Sequence, residues 1–172
     1  LEAALSYPSL KVKINCVPTF QTDQELLQVA ALARENPLHV RFIEMMPIGL
    51  GKDFTARDEN SVKEILEKTY GSLTPVSEVL GNGPCHYYTL GDFKGKIGFI
   101  SALSHKFCNQ CNRVRLTSTG YLKGCLQFEN GVDLKALLRN RASDEILKNA
   151  LQKAIFEKPA GHNFQEKKNG RE

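Results

Sequence analysis

Three cysteines near the middle of the chain constrain its structure and chemistry more than any other feature. Cys108 and Cys111 form a Cys-x2-Cys pair, and Cys125 follows after thirteen intervening residues. A Cys-x2-Cys pair can place two sulfurs on one metal centre, so the third cysteine indicates a site with three thiolate ligands. Three protein ligands suit a metal ion or cluster that keeps one position open.

Two arginines follow the cysteine pair. Arg113 and Arg115 are separated from each other by one residue. Guanidinium groups pair in a forked geometry with carboxylate and phosphate, so these residues predict a ligand rich in such oxygens beside the metal. The alternative is a surface strand whose arginines are only solvated.

The segment around the arginines is predicted to form a β-hairpin. β-prone residues flank a Ser-Thr-Gly turn within residues 113–124. Folding back at this turn would bring Cys125 opposite Cys111. Because side chains alternate along a strand, Cys111, Arg113 and Arg115 would share one face if the strand begins early enough.

The first part of the chain alternates strand and helix patterns. Strands are predicted at 11–17 and 38–44, joined by a helix that begins at a capping box of Thr22 and Glu25. A strand–helix–strand unit of this length indicates a parallel sheet with a right-handed crossover. A second capping box at 61–64 predicts another short helix. Four further elements are predicted: strands at 86–90 and 96–101, and helices at 133–139 and 144–156, the last with an apolar stripe.

Polar residues interrupt the two parallel strands. Such strands are normally apolar on both faces, but these carry Lys13, Asn15 and Arg41. Polar side chains on one face suit the ligand-facing positions inside a barrel, and the alternative is edge strands with one wet face. We therefore predict an α/β fold, with the last βα units of an incomplete TIM-like barrel over 1–70. An α+β region over 71–172 would follow, with a mobile tail from about residue 160.

Composition narrows the class of protein. The net charge of +4 favours an acidic ligand but is too weak to indicate nucleic acid. Five cysteines, three of them at metal spacing, argue against a disulfide framework and for a reducing, cytoplasmic compartment. No apolar run is long enough to predict a membrane partner. The chain begins within an apparent helix, so we expect a fragment.

Three segments of the chain form a recognisable set. In chain order they are Val12-Lys13-Ile14-Asn15, Arg41-Phe42-Ile43-Glu44-Met45-Met46, and Phe107-Cys108-Asn109-Gln110-Cys111-Asn112-Arg113-Val114-Arg115-Leu116 followed by Gly124-Cys125-Leu126. These segments resemble the GTP 3′,8-cyclase family, the radical S-adenosylmethionine enzymes of molybdenum cofactor biosynthesis. Three matching segments in order make the resemblance specific, and it extends over 11–164.

The resemblance implies a cofactor and a substrate. Cys108, Cys111 and Cys125 would hold a [4Fe–4S] cluster whose open iron binds the guanine of GTP. The implied GTP contacts are Lys13, Arg41, Arg113, Val114 and Arg115. The implied S-adenosylmethionine contacts are Asn15 and Met46.

The resemblance also implies a reaction. In this family a second [4Fe–4S] cluster, held by a Cys-x3-Cys-x2-Cys motif, cleaves S-adenosylmethionine. The resulting radical converts GTP to (8S)-3′,8-cyclo-7,8-dihydroguanosine 5′-triphosphate, which cyclic pyranopterin monophosphate synthase then uses. That motif and a C-terminal Gly-Gly are absent here. We therefore expect a C-terminal fragment without turnover of its own. Its open strand edge near 11–17 should lead either to self-association, for example as a homodimer, or to disorder of that edge.

A zinc-binding module is the alternative from another class. His105 lies three residues before Cys108, giving a His-x2-Cys-x2-Cys-x13-Cys pattern that could close a tetrahedral zinc site for nucleotide or partner binding. Spacing alone does not separate zinc from an iron–sulfur cluster, and the family segments favour the cluster. Cys85 is a further candidate for a fourth ligand, and no role is predicted for His162.

Overall fold

The computed structural model describes residues 1–164, so most of the mobile tail predicted from about residue 160 lies outside the described residues. The chain divides into two compact units, the first comprising Leu1–Phe107 and the second beginning at Cys108. The division predicted near residue 70 therefore falls inside the first unit.

The first unit is built on a five-stranded mixed sheet in the order β1-β2-β5-β4-β3. β1, β2 and β5 are parallel, and β3 and β4 are antiparallel additions. This confirms a mixed α/β fold. The strands are β1 (Lys13–Cys16), β2 (His39–Ile43), β3 (Leu73–Pro75), β4 (His86–Leu90) and β5 (Lys96–Ile100). The helices are α1 (Glu2–Leu5), α2 (Asp23–Glu35) and α3 (Glu59–Tyr70), with a 3₁₀ turn at Gly49–Asp53.

One predicted helix start is confirmed and the other is wrong. At α2 the Thr22 amide donates to Glu25 Oε2 at 2.7 Å, and the Glu25 amide donates back to Thr22 Oγ1 at 3.3 Å. α3 begins earlier than predicted, because Asp58 Oδ1 accepts from the Ser61 amide at 2.8 Å and from the Ser61 hydroxyl. Aspartate is as good an N-cap as serine, so the earlier residue caps this helix.

The core of the first unit lies on one face of the sheet. Alternation along β2 buries Val40 and Phe42, and it turns Arg41 to the opposite face. α2 and α3 cover the apolar face and contribute Leu26 and Leu66, each fully buried. Because β1 is in register with β2, with Asn15 opposite Arg41, the predicted polar residues share the face away from the core.

The second unit contains a small antiparallel sheet and two helices. Its strands are β6 (Arg115–Leu116), β7 (Tyr121–Lys123) and β8 (Gly131–Asp133), in that order. A 3₁₀ turn spans Cys108–Gln110, and the helices are α4 (Leu134–Arg139) and α5 (Asp144–Phe156). The predicted hairpin is confirmed, since β6 and β7 pair antiparallel. The turn closes at Gly120, whose φ of +82° favours glycine.

The apolar stripe predicted on α5 is mostly exposed. Of the residues in α5, only Ala154 is buried. Ile146 and Ile155 are each about half exposed. The three strands of this sheet are two or three residues long, so they cover a narrow strip of the helix. None of the helices within residues 1–164 combines the length and apolar character needed to cross a membrane.

Candidate metal and substrate site

Two of the predicted metal ligands lie on one turn at the start of the second unit. The Cys111 amide donates to the Cys108 carbonyl oxygen at 3.2 Å, which closes the 3₁₀ turn. Residues three apart in such a turn lie one above the other. Both cysteines are half-buried, and neither is in a disulfide.

The third cysteine follows β7, but it is not opposite Cys111. Arg115 pairs with Lys123, so continuing that register would place Cys125 opposite Arg113. β6 begins at Arg115, so Cys111 and Arg113 both lie before the strand. The prediction that Cys125 lies opposite Cys111 is therefore wrong, and the strand begins too late for Cys111, Arg113 and Arg115 to share a strand face.

The cysteines provide the right donor chemistry without converging on one point. Within the described part of the chain, no three His, Cys, Asp or Glu side chains lie close enough to hold a metal ion, with or without His105. The donor set itself fits an iron–sulfur cluster, because all three sulfurs are disulfide-free thiols, the ligands that such clusters take.

A lysine that the sequence did not single out contacts the cysteine turn. Lys158 Nζ lies 3.2 Å from Cys111 Sγ and 2.6 Å from the Cys111 carbonyl oxygen. Burial disfavours the Cys111 thiolate, but hydrogen bonds from the Arg113 amide and the Lys158 ammonium, with the charges of both residues, lower its pKa below the usual value. A lysine after a helix is common, so the sequence carried no distinct signal for this contact.

The predicted phosphate-binding residues lie on the surface of the second unit. Arg113, Val114 and Arg115 are all exposed, with Val114 at 47%. The Arg113 carbonyl oxygen accepts a hydrogen bond from Lys158 Nζ at 2.9 Å, which fixes the backbone beside the cysteine turn.

The predicted GTP and S-adenosylmethionine residues of the first unit lie together on the polar face of its sheet. Arg41 Nε donates to Asn15 Oδ1 at 2.8 Å across the β1–β2 pair. Lys13 Nζ donates to the Leu80 carbonyl oxygen and lies 5.5 Å from the centre of the Tyr87 ring. The structure thus brings Lys13, Asn15 and Arg41 onto neighbouring positions of two strands.

Met46 and a small cavity complete the first unit's candidate binding features. Met46 follows β2 and is half-buried. A Cβ at position 51 would lie 2.5 Å from the Met46 carbonyl oxygen. The backbone at position 51 therefore comes so close to the Met46 backbone that only glycine fits there. A cavity of about 250 Å³ is lined by residues between Pro75 and Tyr88, the stretch that includes the Lys13 contact Leu80.

The two additional ligand candidates have other neighbours. His105 Nδ1 lies 3.3 Å from Glu59 Oε2 and 3.2 Å from Ser104 Oγ. Cys85 packs over β5, where a Cβ at Gly98 would lie 2.5 Å from its sulfur. Burial is the main cause that raises the pKa of the Cys85 thiol.

His162, for which the sequence predicted no role, lies beside Phe164. The centres of the two rings are 4.6 Å apart.

Two buried carboxylates hold the segment that precedes the cysteine turn. Glu44 accepts hydrogen bonds from the Leu103 and Ser104 amides at 2.7 and 3.0 Å. Glu59, 6% exposed, accepts from the Ser101 hydroxyl and pairs with Lys63 at 2.6 Å. Sequence reasoning missed both residues, because these contacts join distant parts of the chain. Ser101 is 42 positions from Glu59, and Ser104 is 60 positions from Glu44.

The Glu59 contacts predict a pH-dependent contribution to stability. Burial disfavours its charge, but hydrogen bonds from Lys63 and Ser101 and the nearby positive charges lower the pKa of Glu59 below its usual value of 4.5. The ionised Glu59 side chain therefore contributes its full stabilisation of the folded state above pH 4.5, its usual pKa. This contribution is lost as the pH falls through the lower pKa of the folded state. We expect Glu59→Gln to cost roughly 1–3 kcal/mol near neutral pH.

Urea unfolding near neutral pH and at about pH 3 checks this prediction. The free energy of unfolding should fall less between the two pH values in Glu59→Gln than in the unchanged protein. Glu64→Gln is the control, since Glu64 is an exposed residue of the same helix. Equal pH dependence in Glu59→Gln and the unchanged protein would contradict it.

The structure defines a class of protein: a mixed α/β unit with a cationic sheet face, followed by a unit that carries three thiol donors beside two arginines. The model of one family, described as Molybdenum Cofactor Synthesis C, matches residues 38–164. The chain belongs to this family.

Three of the relatives that the chain resembles are named as GTP 3′,8-cyclases. A GTP 3′,8-cyclase of Clostridium perfringens (strain 13 / Type A) is 45% identical over 161 residues, which is 92% of this chain and 50% of the relative. A GTP 3′,8-cyclase of Syntrophomonas wolfei is 44% identical over 165 residues, covering 94% of this chain and 50% of the relative. A GTP 3′,8-cyclase 2 of Pseudomonas aeruginosa is 39% identical over 170 residues, covering 95% and 51%. The chain thus spans about half the length of these curated relatives.

Proposed function

We propose that this chain is the substrate-holding, C-terminal portion of a GTP 3′,8-cyclase, a radical S-adenosylmethionine lyase. The observation that carries the proposal is the arrangement of the second unit, where the Cys108–Cys111 turn precedes the β6–β7 hairpin, Cys125 follows it, and Arg113 and Arg115 lie between the turn and the end of β6. The family match spans this unit up to residue 164. The names of the relatives supply the reaction.

Cys108, Cys111 and Cys125 are proposed to hold a [4Fe–4S] cluster. Soft thiolates are the usual ligands of such clusters, and hydrogen bonds from the Arg113 amide and the Lys158 ammonium outweigh burial and lower the pKa of Cys111. When bound, a cluster with three protein ligands supplies an open iron that can take a ligand atom from the guanine base. The role proposed for this chain is therefore to bind and orient the substrate.

The triphosphate of GTP is proposed to lie against Arg113, Val114 and Arg115. Exposed guanidinium groups are suited to forked hydrogen bonds with phosphate oxygens. Lys13 and Arg41 are proposed as further GTP contacts, and Asn15 and Met46 as contacts of S-adenosylmethionine. The shared polar face of β1 and β2 supports this grouping, since it separates these cations from the apolar core.

The cyclase reaction is proposed for the whole protein. The 172 residues contain no Cys-x3-Cys-x2-Cys motif to hold the cluster that cleaves S-adenosylmethionine, so we expect no turnover from this chain alone. The parallel strands β1, β2 and β5 are proposed as part of a TIM-like barrel whose interior is the polar face. The product would pass to cyclic pyranopterin monophosphate synthase. Five free cysteines suit a reducing compartment such as the cytoplasm.

Anaerobic reconstitution with iron and sulfide tests the metal site. We expect a brown protein with broad absorbance near ~400 nm and about four irons per chain. A colourless protein that binds one zinc ion would instead support the Cys₃His module with His105.

Loss of the two arginines should weaken GTP binding. In reconstituted protein, Arg113→Ala/Arg115→Ala is expected to raise the Kd for GTP by about ten-fold or more, because each charge-assisted hydrogen bond contributes roughly 1.5–3 kcal/mol. Titration calorimetry measures the change. Arg139→Ala/Arg141→Ala removes the same charge from exposed positions of the same unit and serves as control. An equal effect in both variants would show that net charge alone attracts the nucleotide.

A further inference from the structure

The residue that follows the cap of α5 connects parts of the second unit that carry the cysteines. Lys158 comes directly after the helix cap Glu157. Its ammonium donates to the carbonyl oxygens of Cys111 and Arg113 at 2.6 and 2.9 Å and lies 3.2 Å from Cys111 Sγ. An ammonium has three hydrogens, so these three acceptors match its full donor capacity.

The backbone of the same residue packs beside the third cysteine. Gly124, immediately before Cys125, is buried, and a Cβ there would lie 3.5 Å from both the Cα and the Cβ of Lys158. The same Cβ would lie 3.1 Å from the Ala154 carbonyl oxygen. The end of α5 therefore lies directly against the segment that carries Cys125.

The residues after Lys158 continue past Cys108, which lies on the same turn as Cys111, and past the residues that follow Cys125. A Cβ at Gly161 would lie 3.9 Å from the Cβ of Cys108. Asn163 exchanges two side-chain hydrogen bonds with Gln127, one of them from its own amide at 3.0 Å. We call residues 158–163 the strap, because Lys158 contacts the turn that carries Cys111 and packs beside Gly124, and Asn163 bonds to Gln127, two residues after Cys125.

We infer that Lys158 is a positioning residue for the three-cysteine site. Its contacts hold the Cys111 turn and the Cys125 segment against the strap. The role toward a cluster rests on the proposed function, whereas the role in the metal-free protein does not. A half-buried ammonium bonded to two backbone carbonyls fixes the turn before any metal binds.

The contact with sulfur adds an electrostatic consequence. Hydrogen bonds to the ligand sulfurs and the local net charge set the reduction potential of an iron–sulfur cluster. A cation beside Cys111 stabilises the more negative, reduced state, so it raises the potential. Removing that charge while keeping the side-chain length should lower the potential.

Three variants test the inference. Lys158→Met keeps most of the length but removes the charge and the donors, Lys158→Arg keeps the charge, and Lys148→Met is the control at an exposed position of α5. In reconstituted protein we expect Lys158→Met to lose iron to a chelator at least about ten-fold faster and to have a lower reduction potential, with partial recovery in Lys158→Arg. Unchanged iron loss and potential in Lys158→Met would overturn the electrostatic role.

Hydrogen exchange of the iron-free proteins separates this inference from the proposed function. We expect amides in 108–113 and 124–126 to exchange faster in Lys158→Met than in Lys148→Met, with exchange in β1–β5 unchanged as evidence of folding. Equal exchange in the two variants would overturn the positioning role whether or not iron binds. Faster exchange in a protein that takes up no iron would retain the positioning role and reject the cluster.

Discussion

We expect the reconstituted protein to lose most of its iron content and visible absorbance when any one of Cys108, Cys111 and Cys125 is replaced by alanine. Each substitution leaves only two of the three thiolates that are proposed to hold the cluster. The measurement is iron per chain with the absorbance near ~400 nm after anaerobic reconstitution.

Cys16→Ala and Cys85→Ala are the matched controls for this series. Cys16 lies on β1 against the apolar core, and Cys85 lies over Gly98, so both belong to the first unit. Iron content should remain unchanged in both. Retention of iron in all three site variants would refute the proposed ligand set, and loss of iron in Cys85→Ala would identify this residue as the fourth ligand.

Leu66→Ala should be the most destabilising single truncation of an α3 side chain. Leu66 is fully buried between the helix and the sheet. Leucine-to-alanine changes at such sites cost about 2–5 kcal/mol, a large share of the ~5–15 kcal/mol by which small domains are stable. Alanine favours helix as strongly as leucine, so the loss would come from packing.

Urea unfolding followed by circular dichroism measures the effect of this change on the first unit. Leu50→Ala is the control, since Leu50 is 80% exposed and its truncation should change the free energy of unfolding by at most about 0.5 kcal/mol. Similar unfolding midpoints for the two variants would show that α3 does not pack as described.

Local patterns in the sequence predicted the elements whose signals are themselves local. The capping box of Thr22 and Glu25 needs only four residues, and the alternation of β2 separates Val40 from Arg41. The same kind of pattern failed at Ser61, because Asp58 offered an equally good cap three residues earlier. A local signal is therefore reliable only where no neighbour competes for the same role.

Features that depend on distant pairing could not be read from the sequence. The first sheet continues past residue 70 because β5 pairs with β2, a contact between strands more than fifty positions apart. The contact between Lys158 and Cys111 spans 47 positions and leaves no periodic trace. Cysteine spacing indicated which residues to consider as ligands, but the register of β6 and β7 decides where Cys125 lies relative to the turn.

The alternation of side chains along β1 and β2 has a consequence for how such a protein can evolve. Odd-numbered positions such as Lys13, Asn15 and Arg41 carry the polar chemistry, whereas the even-numbered Val40 and Phe42 carry the packing. Substitutions in one set leave the other largely undisturbed, because side chains on opposite faces share no contacts. A lineage could therefore change what the polar face recognises, one residue at a time, without first acquiring compensating mutations in the core.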